Sequence, residues 1–127
     1  MVAKNEQDPY ELSFEHGPAY LYASLRGNEN NYEIAKQYWN EIIAFCNRRD
    51  YSKVLIEKQI PKFLDTQDAF RVVTEVSLIA RRGVKFAFFD KYFNAEKSGF
   101  EELVDNNRGL TLKYFESLSC AEHWLAS

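Results

Sequence analysis

The feature that most constrains this chain is a repeated change of hydrophobic period. From Tyr32 to Arg49 the apolar residues recur as Ile34/Ala35, Tyr38/Trp39, Ile42/Ile43 and Phe45/Cys46. That is the spacing of one broad helical stripe. "KVLIE", 53–57, is short and apolar, as a strand covered on both faces should be. Pro61 bars a continuous strand, so residues 58–64 read as a loop. Ala69, Val72, Val73, Val76, Ile79 and Ala80 restore helical spacing to about Arg82, and Gly83 suits the position after a helix end. "VKFAFFD", 84–90, reads as a second buried strand, and "NAEKSGFEELVDNN", 94–107, as a weaker helix on Phe100, Leu103 and Val104. "GLTLKYF", 109–115, alternates as a strand, and "SCAEHWLA" closes the chain as a helix with Ala121, Trp124 and Leu125 inward. Strands alternating with helices imply crossover connections and parallel pairing.

The N-terminal part adds a different unit. "YELSFEH", 10–16, places Leu12 and Phe14 on one face of a strand. Gly17 and Pro18 then mark a turn, and "YLYASLRG" resumes as a strand ending at Gly27. The pair reads as a hairpin. The expected order is β-β-α-β-α-β-α-β-α: an α/β fold with a mixed sheet and one antiparallel edge strand. Residues 1–127 suit a single domain, with residues 1–9 expected to be flexible.

Charge and composition narrow the function. The net charge is −3 and the pI about 5.4, the wrong balance for tracking phosphates, so nucleic acid is excluded as a partner. No apolar run approaches the ~20 residues of a membrane span. The start of the chain is polar, unlike a secretory signal, and a cytoplasmic location is expected. Cys46 and Cys120 both fall in helical apolar patterns and read as buried free thiols. Cys120 and His123 at i, i+3 are too few for a metal site, and no cofactor or metal is expected. There is no glycine-rich phosphate loop, no HExxH and no CxxC. His16 and His123 have no nucleophile in a recognisable elbow, so the chain is not expected to be an enzyme.

Two groups of residues remain as candidates. In "KFLDTQDAF", 62–70, Asp65, Thr66 and Asp68 stand where a strand hands over to a helix. Asp65 reads as an N-cap whose carboxylate accepts the N–H of Asp68. The alternative makes the stretch a regulatory switch centred on the Thr66 hydroxyl. The second group is Phe86, Phe88, Phe89 and Phe93. These rings either pack under the helices, with Phe89 on the face opposite Phe86 and Phe88, or wall an apolar ligand cavity. Ligands of open α/β sheets sit beyond the carboxyl ends of the strands, which Glu57, Asp90 and Phe115 mark here.

The order of elements resembles that of STAS domains, the anti-sigma-factor antagonist fold, and most of all its SpoIIAA-like branch of small stand-alone proteins. Two segments carry the likeness further. "NRGLTLKYFESLSCAEHWL" is similar to that branch's ending, a strand, a Phe, a polar link and a helix closing on Ala121, Trp124 and Leu125. "VLIEKQIPKFLDTQDAF" is similar to the STAS core, in which an acid ends a strand and another opens the next helix; Glu57 and Asp65 take those positions. The resemblance implies a non-catalytic regulatory or protein-binding module of the bacterial cytoplasm, with Glu57, Asp65, Thr66 and Asp68 as its recognition loop. In phospho-regulated members a serine pair and a glycine follow the second acid. Here Thr66, Gln67 and Asp68 follow, leaving one hydroxyl. A likeness of this branch to the CRAL-TRIO lipid-binding fold implies the alternative, a small carrier or sensor of an apolar, lipid-like ligand.

Overall fold

The computed structural model describes residues 9–62, 64–81, 83–90 and 111–127, and for Thr66 the backbone alone. Within them the chain forms β1 (Tyr10–His16), β2 (Leu21–Gly27), α1 (Tyr32–Arg49), β3 (Lys53–Gln59), α2 (Thr66–Ser77), β4 (Lys85–Asp90), β5 (Thr111–Phe115) and α3 (Leu118–Ala126). The five strands make one sheet in sequence order. β1 pairs antiparallel with β2 at the edge, and every later pairing is parallel. The expected helix over 94–107 and Phe93 lie outside the described residues.

Period-two alternation divides the core between two faces of the sheet. Val54, Ile56, Phe86, Phe88 and Leu112 point one way and pack with Trp39, Ile42 and Ile43 of α1 and Val72 and Val76 of α2. Leu55 and Ala87 point the other way, against Ala121 and Leu125 of α3. α1 starts at Asn31, whose side chain accepts the Ile34 N–H at 2.9 Å. It stops at Asp50, which adopts the left-handed conformation (φ 60°) that suits a residue after a helix. Gly17 is required by the β1–β2 turn, because a Cβ there would stand 2.7 Å from the Tyr20 carbonyl oxygen.

Three local expectations need correction. β3 runs to Gln59, two residues past the expected end, because Lys58 and Ile60 are themselves buried and Lys58 still pairs with Asp90 of β4. α2 stops at Ser77 rather than near Arg82. The N–H groups of Leu78 and Ile79 bond back to the Glu75 and Val76 carbonyls at 3.3 and 3.0 Å, tightening the last turn. Cys46 is buried, and burial pushes its thiol up to about 12, but Cys120 is exposed on α3.

Candidate functional site

The β3–α2 junction is built around a helix cap. Asp65 has extended backbone (φ −70°, ψ 168°), and its Oδ1 accepts the Asp68 N–H at 2.8 Å. One orphan donor of the first turn is thereby satisfied, and Thr66 is the first residue of α2. The Asp68 carboxylate lies 3.8 Å from Arg71. That guanidinium sits over the Tyr32 ring of α1, 3.8 Å from its centroid. Tyr32 in turn donates to Glu75, which Lys36 approaches at 3.2 Å. The Tyr32 hydrogen bond, with Lys36 behind it, holds the Glu75 carboxyl below the usual range, and Glu75 holds Lys36 above its own. Asp68, Arg71 and Tyr32 line a cleft of about 570 Å³ between the first turns of α1 and α2.

Asp65→Ala is expected to lower unfolding free energy by about 1 kcal/mol, and Asp65→Asn by a few tenths, because Asn also caps well. Urea titration of the two variants checks this; equal losses would take the stabilisation away from the cap.

Glu57 is not part of that cluster. It stands two residues inside β3, on the parity of Leu55, and so faces α3 while Asp65 opens a helix on the opposite side of the sheet. There it accepts from the Tyr22 hydroxyl and, at 2.8 Å, from Gln59 Nε2. Burial, with the Glu57 bond, pushes the Tyr22 hydroxyl above its ordinary range. Next to it Tyr20 donates to Glu122 at 2.5 Å, and that bond, with burial, holds the Tyr20 hydroxyl up at about 12. Glu15, Glu57, Tyr20 and Tyr22 line a second cleft, of about 560 Å³, beside Leu118 of α3.

The phenylalanines are likewise divided. Phe86 and Phe88, each 1 % exposed, meet Trp39 at centroid distances of 5.4 and 5.3 Å, and Phe88 stacks on Tyr114 at 4.9 Å. Phe89 packs on the other face, with Phe115 and Trp124.

A buried ion pair that the sequence analysis does not anticipate joins the carboxyl ends of two parallel strands. Lys58 of β3 and Asp90 of β4 are in register, their charges 3.3 Å apart, with side chains 4 % and 0 % exposed. The signal was available in parity: Lys58 follows Val54 and Ile56 on the inward face, and Asp90 follows Phe86 and Phe88. Among the described residues no group of three or more His, Cys, Asp or Glu is placed to hold a metal ion, and no helix is long and apolar enough to cross a membrane.

No family model matches the sequence, and no curated protein is found similar to it. The fold is SpoIIAA-like. The chain is similar to the crystal structure of an uncharacterized protein from the DUF3478 family, with a SpoIIAA-like fold, from Shewanella loihica PV-4. The two align over 98 % of this chain and 99 % of that one, with a TM-score of 0.55 and 13 % identity.

Proposed function

We propose that this SpoIIAA-like chain works without catalysis, as a protein-interaction or regulatory module akin to the anti-sigma-factor antagonists, with the first turns of α2 as its recognition surface. The observation that carries the reading is the outer side of that helix. α2 buries Ala69, Val72, Val73 and Val76, yet it leaves the Phe70 ring 40 % exposed between exposed Gln67 and Arg71, one turn after the Asp65 cap. Aromatic and Arg side chains presented together are the kind that anchor interfaces. Thr66 precedes Phe70 by one turn. A phosphate on Thr66 would be favoured by the helix dipole and opposed by the Asp65 and Asp68 carboxylates, so phosphorylation there would change the charge of this surface more than the core beneath it.

The alternative, a carrier of an apolar lipid-like ligand, has less behind it, because Phe86 and Phe88 already fill the space under α1. Pull-down from native cell extract separates the two. Phe70→Asp should lose the protein that the unaltered chain captures while keeping the far-UV circular dichroism of the folded chain, and Thr66→Glu should weaken the same capture. Equal capture by the unaltered chain and Phe70→Asp would remove α2 as the recognition surface. A lipid copurifying in native mass spectrometry would favour the carrier.

A further inference from the structure

The C-terminal ends of α1 and α2 meet at a corner that is both apolar and basic. The turn after α2 carries Leu78 and Ile79, 82 % and 49 % exposed, so two large aliphatic side chains project into solvent side by side. The turn is fixed. Its amides bond back to the last turn of α2, and Asn47 of α1 donates to the Ile79 carbonyl at 3.4 Å. Arg81 donates to the Asp50 carboxylate and, at 2.6 Å, to the Tyr51 carbonyl. Beside it Arg48 and Arg49 end α1. Both are exposed, with their guanidinium carbons 5.9 and 5.3 Å from the Phe45 centroid. Among the described residues neither has a carboxylate partner.

The charge of the helical layer is polarised. The first-turn acids Glu33 and Asp68 and the cap Asp65 stand at the opposite ends of the two helices, where Lys36 and Arg71 accompany them, while Arg48, Arg49 and Arg81 gather at this corner, with Asp50 bound to Arg81. A negative net charge thus coexists with a basic end, where the cations also suit the helix C-termini. The apolar part is a convex tip. A protein partner would need a pocket shaped to receive it, whereas a bilayer needs only its interface. Aliphatic side chains in front and arginines behind match the acyl boundary and the phosphate layer of an anionic membrane.

We propose that this corner docks the protein peripherally on an anionic lipid surface, with Leu78 and Ile79 entering the headgroup region and Arg48 and Arg49 lying against lipid phosphates, while Arg81 holds the turn through Asp50 and Tyr51. The test is sedimentation of the full chain with vesicles of phosphatidylcholine alone and of phosphatidylcholine mixed with phosphatidylglycerol. Binding is expected to the mixed vesicles only, and to weaken as added salt shortens the Debye length from about 30 Å at 0.01 M to about 8 Å at 0.15 M. The double substitution Leu78→Ser/Ile79→Ser should reduce binding roughly tenfold, since both side chains leave the interface, while the melting temperature holds. Arg48→Gln/Arg49→Gln should erase the preference for phosphatidylglycerol. Failure to bind mixed vesicles at low salt overturns the proposal, and so does binding that survives Leu78→Ser/Ile79→Ser. Loss of an acidic protein from a pull-down on the Leu78→Ser/Ile79→Ser variant, without vesicle binding by the unaltered chain, would overturn it in favour of a protein partner.

Discussion

Asp90→Ala is expected to lower unfolding free energy by about 3–5 kcal/mol, the range for removing one member of a buried ion pair. Asp90 ends β4 directly across the ladder from Lys58, and the two side chains are 0 % and 4 % exposed. Truncating the carboxylate takes from the buried ammonium the charge 3.3 Å away that offsets part of its lost hydration. Val54, Ile56, Phe86 and Phe88 precede the pair on the same inward face, so the charges stand at the end of an apolar layer. Lys58→Met should fall short of that loss, because Met fills much of the same volume, though it leaves the carboxylate buried. The paired change Lys58→Met/Asp90→Leu removes both charges and should recover at least half of what Asp90→Ala loses. Urea titration of the four proteins checks the set. A loss below about 1 kcal/mol in Asp90→Ala would mean that water reaches the site and hydrates the ammonium.

This pair also marks where sequence reading gives way. The bounds of α1 were legible because its determinants are local: an Asn cap, an apolar stripe at helical spacing and arginines at the C-terminal end. The Asp65 cap was legible for the same reason, since its donor is three residues away. A lysine followed by Gln-Ile-Pro reads as a loop, whereas β3 runs to Gln59. Asp90, distant in sequence and adjacent in the sheet, is a partner that an inward Lys58 meets only in the fold. Ile79 and Ala80 keep the helical period in the sequence, although α2 ends at Ser77. Ala80 does pack against the core, but from a turn, and Ile79 is half exposed. The STAS resemblance groups Glu57 with Asp65, and the parity of β3 sends the two to opposite faces of the sheet. Local chemistry was thus readable, while sites assembled across strands were not.

Trp39→Ala is the second change expected to be severe, at about 3–5 kcal/mol. Trp39 lies at the centre of α1, 5 % exposed, and its indole meets Phe86 near edge-on (74°) and Phe88 at a tilt (52°). Phe88 in turn stacks on Tyr114, so one indole joins α1 to β4 and, through Phe88, to β5. Truncation removes the largest apolar side chain of that layer and opens a cavity that the two flanking rings cannot fill without leaving their rotamers. Trp39→Phe should retain most of the stability, because a ring still occupies the space between Phe86 and Phe88. Trp124 provides the control. Its place on α3 suggests an equally inward residue, but its ring is partly exposed, 5.7 Å from Phe115 and beneath the Lys85 ammonium at 4.9 Å. Trp124→Ala should therefore cost distinctly less, about 1–2 kcal/mol, since a partly exposed side chain has less transfer free energy to lose and solvent closes part of the gap. Denaturant midpoints of the three variants decide the ranking. If Trp124→Ala proved as damaging as Trp39→Ala, the α3 face would carry as much of the fold's stability as the layer under α1, and the division of the core drawn from exposure would have to be abandoned.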